Sequence, residues 1–155
     1  SYYKGVTTEF LLKKGMQLQV DRIAKNLEET SSTVKVNKAH FNSDIIECFK
    51  GPEYDLLSPK QHAELENTMF TISKDNSRMG YKLEEVIAND LMSMLTSAVL
   101  PGTVQLTPSG KLIVLMRDCQ VTGGYPRVLQ LSEMAINQLA QKTTGDQFRF
   151  KLKSY

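Results

Sequence analysis

The sequence predicts a mainly β protein, a closed barrel or sheet with two or three short helices. Three observations carry this expectation. Short apolar runs with period-two alternation recur along the chain, turn residues separate them at regular spacing, and no long βαβ alternation appears that would build a doubly wound sheet. With 155 residues, 41% of them hydrophobic and 23% charged, the chain suits one domain that buries a sizeable core.

Lys13-Lys14-Gly15 forms a turn into an alternating strand over 16–20. Residues 21–29 suit a short helix capped by Asp21, with Ile23, Ala24 and Leu27 at helical spacing, and Thr30-Ser31-Ser32-Thr33 is loop chemistry. A second strand, 45–49, ends at Lys50-Gly51-Pro52. Ser58-Pro59-Lys60-Gln61 supplies an N-cap serine, a proline at the first helical position and a glutamine three residues after the cap, so a helix is predicted over 59–67. A strand over 69–73 follows, then a turn at Asp75-Asn76-Ser77 and extended chain over 80–83. Residues 91–100 are apolar with interspersed Ser and Thr, and Pro101-Gly102 leads into the strand 103–106. Pro108-Ser109-Gly110 turns the chain into the strand 112–116. Ser132 caps an amphipathic helix with Ala135, Ile136, Leu139 and Ala140 on one side, and Thr144-Gly145-Asp146 turns into the last strand, 147–152. There Arg149, Lys151 and Lys153 alternate with Phe148, Phe150 and Leu152, which reads as a half-exposed strand with its charges outward.

The balance of charge, +2, argues for no nucleic-acid partner. Cys48 and Cys119 have no companions at metal-ligand spacing and read as buried thiols. His40 and His62 build no metal site, and His62, beside Gln61 and Glu64, reads as a surface residue. No apolar run is long enough to span a bilayer and the opening residues carry no signal-peptide pattern, so no membrane partner and a cytoplasmic location are expected. The chain opens Ser1-Tyr2-Tyr3-Lys4-Gly5 without an initiator Met, which reads as a piece of a longer protein.

The segment Asp118-Cys119-Gln120-Val121-Thr122-Gly123-Gly124-Tyr125-Pro126-Arg127 places polar side chains and two adjacent glycines directly behind a strand. Gly123 and Gly124 permit positive φ or a close approach of another backbone. On local chemistry both a turn between barrel strands and a binding loop remain open.

Order and spacing bring a resemblance. Pro101-Gly102-Thr103-Val104-Gln105-Leu106, Pro108-Ser109-Gly110, Ile113-Val114-Leu115, Asp118, Gln120 and Thr122-Gly123-Gly124-Tyr125-Pro126-Arg127 form one block. Ser73 with Asp75-Asn76-Ser77-Arg78-Met79-Gly80-Tyr81 forms another, and Gly51-Pro52, Leu139-Ala140-Gln141 and Gly145-Asp146 add to them. Together these closely resemble the KipA-like, biotin-dependent-carboxyltransferase-type family, which includes allophanate hydrolase subunit 2 and the C subunit of 5-oxoprolinase. The resemblance implies a cyclophilin-like β-barrel, and this chain looks like the C-terminal half of a family member. Residues 21–42 match poorly. Leu112 stands where proline is common, Lys82 where arginine is usual, and Cys119 and Val121 where more polar residues are common; lysine lacks the planar fork that grips a carboxylate bidentately.

The family acts on small amide or ureido compounds, which implies ATP-dependent opening of 5-oxoproline to glutamate, or carboxyl transfer to urea, biotin entering only in the latter. Either chemistry needs donors for an amide oxygen and a cation near a carboxylate or phosphate. Asp118 is the candidate acceptor or general base with Gln120 beside it. Gln105, Thr122 and Tyr125 line the candidate substrate site, Arg78 and Arg127 are its cations, and Gly123 and Gly124 offer backbone amides for an anion-holding nest. Each has a plainer reading: Gln105 and Gln120 bonding only neighbouring backbone, Arg78 tied to Asp75 within its own turn, Tyr125 a packing aromatic. The sequence holds no P-loop, so ATP is expected to be used by an assembled complex rather than at a site complete in this chain. The expected partner is a KipI-like, allophanate-hydrolase-subunit-1-type protein, and the chain alone is expected to be inactive. A regulatory module that antagonises a kinase inhibitor is the non-catalytic alternative.

Overall fold

A computed structural model describes residues 13–17 and 43–153. The chain divides into two compact units, Ser1–Lys35 and Val36–Tyr155. In the first, Lys13-Lys14-Gly15 makes the expected turn, closed by the Met16 amide on the Lys13 carbonyl (3.1 Å), with Gly15 at φ 92°. The expected helix over 21–29 and His40 lie outside the described residues, as does the strand over 16–20 apart from Met16 and Gln17.

In the second unit seven strands close a barrel: β1 (Ile45–Lys50), β2 (Phe70–Asn76), β3 (Gly80–Val86), β5 (Thr103–Leu106), β6 (Lys111–Leu115), β8 (Arg127–Leu131) and β9 (Gln147–Leu152). Their order around the barrel is β1-β8-β5-β6-β3-β2-β9, β9 returning to β1. The β1–β9 seam is parallel and the other pairings are antiparallel. Closure gives each of these seven strands a partner on both sides. The mainly β barrel expected from the alternating segments is therefore the fold that forms.

Alternation sets the core. Leu106, Leu112, Val114 and Leu83 point inward from neighbouring strands and are at most 1% exposed. Phe70, Phe148 and Phe150 meet them as a ring cluster with centroids 5.1–6.3 Å apart, while Arg149 and Lys151 face solvent as expected. Cys48 is fully buried, and burial pushes its thiol up to about 12, which leaves it an inert core residue. Cys119 is only half-buried.

Helix α1 (Pro59–Asn67) starts where its cap predicts. Ser58 Oγ accepts from the Gln61 amide and Gln61 Oε1 accepts from the Ser58 amide (2.7 Å), a complete capping box. Replacing Ser58 by alanine is expected to cost about 1 kcal/mol in denaturant unfolding. His62 is not a free surface residue. Its ring stacks on Tyr54 at 4.1 Å and Nε2 lies 3.0 Å from the Tyr54 carbonyl. Helix α2 (Glu133–Leu139) buries Ala135, Ile136 and Leu139, whereas Ala140 caps its end in solvent.

Two short strands, β4 (Ser97–Ala98) and β7 (Thr122–Gly123), pair outside the barrel. With the Met94 amide on the Gly124 carbonyl (2.8 Å) and the Val99 amide on the Val121 carbonyl (3.0 Å), they hold the segments 91–99 and 119–125 together as a flap.

Candidate functional site

The site follows from strand register. Gln105 on β5 is paired with Ile113 on β6, and Ile113 is paired with Lys82 on β3. Because Leu106, Leu112 and Leu83 face the core, these three residues share the outer face of the barrel. One step along, Leu115 is paired with Gly80. A Cβ at Gly80 would lie 3.3 Å from the Val114 carbonyl oxygen and 3.4 Å from an Ile113 methyl, so glycine keeps the floor low here.

A cavity of about 490 Å³ opens over this row. Ile113 and Leu115 form its apolar floor, Asp75, Asn76, Ser77 and Met79 one rim, and Gln120, Gly123, Gly124 and Tyr125 of the flap the opposite wall. Lys82 Nζ lies 3.5 Å from Asp75 Oδ2, both side chains being more than half exposed. Asn76 is fixed by donating from Nδ2 to the Ser73 carbonyl (2.7 Å) and to Thr144 Oγ1 (2.8 Å). The predicted turn at Asp75-Asn76-Ser77 is displaced: β2 runs on to Asn76, which pairs with Tyr81, and the reversal occurs at Ser77-Arg78-Met79. A register shift between Ile72 and Asn76 accompanies this extension.

Gln105, Gln120, Gly123, Gly124 and Tyr125 thus come together around one cavity. Asp118, Arg78, Thr122 and Arg127 are not among its lining residues. Arg78 does not bond Asp75; it grips Asp118 with Nε on Oδ2 (2.7 Å) and a terminal nitrogen on Oδ1 (3.2 Å). The Asp118 amide also donates to the Arg78 carbonyl (2.9 Å), so the pair staples the β2–β3 turn to the chain leaving β6. Thr122 is exposed on β7. Neither Gly123 nor Gly124 has a positive φ, so the alternating backbone of an anion-holding nest does not form. Their other expected use, close approach of another backbone, is not what sets Gly123, which is crowded by a side chain, and Gly124 meets backbone only at ordinary contact distance. A Cβ on Gly123 would come within 2.4 Å of Gln105 Nε2, and one on Gly124 within 3.4 Å of the Met94 carbonyl oxygen.

Arg127 continues the outer-face row, paired with Gln105 from β8, yet each of its three side-chain nitrogens already donates to a protein acceptor. Nε and a terminal nitrogen clasp Glu53 (2.9 and 2.7 Å), and the other terminal nitrogen donates to the Ala98 carbonyl (2.8 Å). The Arg127 amide adds a bond to Glu53 Oε2 (2.8 Å). Glu53 is buried, and the guanidinium beside it holds its carboxyl below the usual value. Ala98 belongs to β4, so this clamp ties the flap to the barrel wall.

Lys82, Asp75, Ile113 and Leu115 have no place among the candidate residues of the sequence, although Lys82 draws notice there as a departure from arginine. The signal was the alternation of β3 and β6, which puts 80, 82, 113 and 115 opposite the core-facing leucines.

Among the described residues no helix is long and apolar enough to cross a membrane, and no cluster of three potential metal ligands occurs. Residues 4–152 match the family model described as carboxyltransferase domain, subdomain A and B. The chain belongs to this carboxyltransferase-domain family. Within it, the chain is 31% identical to the C subunit of 5-oxoprolinase from Escherichia coli K12, over 90% of this chain and 44% of that protein. It is 31% identical to the corresponding 5-oxoprolinase C subunit of Haemophilus influenzae, over 72% of this chain and 37% of that protein. The chain therefore spans less than half the length of these curated relatives. Among solved structures, the barrel of this carboxyltransferase-domain chain resembles part of the Kluyveromyces lactis urea carboxylase, with a TM-score of 0.64 at 16% identity over 72% of this chain and 11% of that one. The K. lactis urea amidolyase gives the same TM-score and identity, over 72% of this chain and 8% of that one. At this identity the likeness concerns the fold.

Proposed function

We propose that the chain forms part of a subunit of an ATP-dependent amide-processing enzyme of the 5-oxoprolinase type, and that the outer-face cleft takes the small amide. The observation that carries this reading is the row Gln105–Ile113–Lys82, an amide, an apolar surface and a cation side by side on three strands. 5-Oxoproline presents the matching sequence of groups: a lactam, a ring face and a carboxylate. The names of the E. coli and H. influenzae relatives support the same choice.

In this reading the Lys82 ammonium exchanges Asp75 for the substrate carboxylate, the ring lies on Ile113, and Gln105 donates to the lactam oxygen as charge develops on it. Opening the ring adds water across the carbonyl and breaks the carbon–nitrogen bond, releasing the amino group of glutamate. ATP supplies the driving force in the assembled enzyme. The cleft offers Lys82 and three carboxamides, Asn76, Gln105 and Gln120, beside a carboxylate, a donor set that does not fit a triphosphate, so no step is assigned to ATP here. The reading places the ATP site and a KipI-like partner outside this chain. Exposed Met92, Leu95, Leu100 and Val121 along and beside the flap are consistent with a surface that another protein part covers.

The test is ATP-dependent glutamate formation from 5-oxoproline by the full-length protein with its partner. Turnover is expected in the wild type, with kcat/KM lower by about 10- to 100-fold in both Gln105→Leu and Lys82→Ala. A stable complex that turns over neither 5-oxoproline nor urea contradicts the reading and favours a regulatory module.

A further inference from the structure

Gln105 is only 2% exposed, the one buried polar side chain among those lining the cleft. Buried carboxamides are ordinarily satisfied at both ends. Here Nε2 makes a single long bond, 3.4 Å to the Tyr125 carbonyl, and no described residue donates to the carboxamide oxygen, which is not itself fully buried. The flap leaves room for this side chain only because residue 123 has none: a Cβ there would overlap Nε2 at 2.4 Å, with Val99 closing the other side at 3.3 Å. A buried carboxamide with spare hydrogen-bonding capacity therefore faces the cavity, in a slot shaped by a glycine.

We propose that Gln105 is the specificity-determining residue of the cleft, reading an amide whose N–H and C=O lie on the same side, and that Gly123 is the residue that positions it. This rests on the amide-binding reading above and deepens it. In this assignment the N–H of Gln105 anti to its oxygen goes to Tyr125, and the syn N–H and the oxygen form an edge with one donor and one acceptor. A lactam offers the complementary edge, because its ring forces N–H and C=O onto one side, and so do urea and primary amides. A trans secondary amide such as a peptide bond holds the two groups on opposite faces and cannot engage both. A lactone keeps the acceptor but lacks the N–H, leaving the Gln105 oxygen unpaired. Sites that hydrogen-bond a ligand N–H discriminate strongly against analogues without it, since their own buried groups are stranded.

The experiment is equilibrium binding to the full-length subunit with its partner, using 5-oxoproline, its lactone analogue with ring oxygen in place of N–H, and urea. The wild type is expected to bind lactam about 10- to 100-fold more tightly than lactone. Gln105→Leu, close in size, is expected to shrink that ratio to within about 3-fold, and Gly123→Ala to do the same by displacing the carboxamide. The double variant is expected to discriminate no worse than either single one, a non-additivity that a purely structural glycine would not produce. Thermal melts report whether each variant remains folded, and the leucine variant alone suffices if the alanine one does not.

An undiminished lactam-to-lactone ratio in Gln105→Leu, with lactam still bound and turned over, overturns this assignment and leaves the 5-oxoprolinase reading standing. Binding of urea but not lactam, lost in Gln105→Leu, supports the assignment and overturns the 5-oxoproline substrate. Binding of none of the three to the wild type overturns both.

Discussion

Arg127→Ala is expected to lower the stability of the barrel by about 3–5 kcal/mol, because it leaves the buried Glu53 carboxylate without its cation. The same change removes the donor to the Ala98 carbonyl, so the flap loses its tie to the wall as well. The loss is expected to depend on pH in a defined direction. In the wild type the guanidinium holds Glu53 below its ordinary value of 4.5, so the stabilisation is fully present above that pH and fades as pH falls through the lower folded-state value. The gap between Arg127→Ala and the wild type should therefore be full near pH 7 and narrow in acid. Denaturant unfolding at neutral and acidic pH measures it. A gap that is constant, or that widens in acid, contradicts the clamp.

Gly51→Ala is expected to be about as damaging, at about 3 kcal/mol or more, for a reason that involves no charge. A Cβ at residue 51 would lie 2.1 Å from the Arg127 carbonyl oxygen and 2.8 Å from the Arg127 and Val128 carbonyl carbons. That strand cannot step aside cheaply. The Gly51 amide donates to the Val128 carbonyl (2.9 Å) and the Glu53 amide to the Arg127 carbonyl (3.1 Å), so relief of the overlap breaks the β1–β8 corner. Gly123→Ala provides the control, since the atom it meets is the tip of a flexible side chain. It should change ligand discrimination far more than unfolding. Comparable unfolding losses in the two variants would refute this distinction.

Local chemistry was enough to locate α1, because Ser58-Pro59-Lys60-Gln61 carries the whole cap within one turn. It was also enough for β9, whose aromatic and cationic residues alternate without interruption from Phe148 to Lys151. The β2–β3 reversal was misplaced because Asp75 and Asn76 have turn chemistry, yet pairing of Asn76 with Tyr81 holds them in the strand. The site was legible only in part. The flap wall from Gln120 to Tyr125 and the single residue Gln105 stood out as polar or glycine positions. Lys82, Ile113 and Leu115 did not, because an isoleucine on a strand announces nothing until register places it between a glutamine and a lysine. The cations were harder still. Arg127 meets Glu53 across 74 positions of sequence and Arg78 meets Asp118 across 40, and no local pattern reveals a partner at that separation.

Side-chain nuclear magnetic resonance during titration with 5-oxoproline decides whether the outer face of β5, β6 and β3 is the amide-binding surface. The sample is the full-length subunit with its partner, labelled at isoleucine and leucine methyls and glutamine amides. Saturable shifts are predicted at the Gln105 amide and the Ile113 and Leu115 methyls, with Ile45 and Leu152 at the β1–β9 seam unmoved. Saturable shifts elsewhere with Gln105, Ile113 and Leu115 unchanged would contradict it.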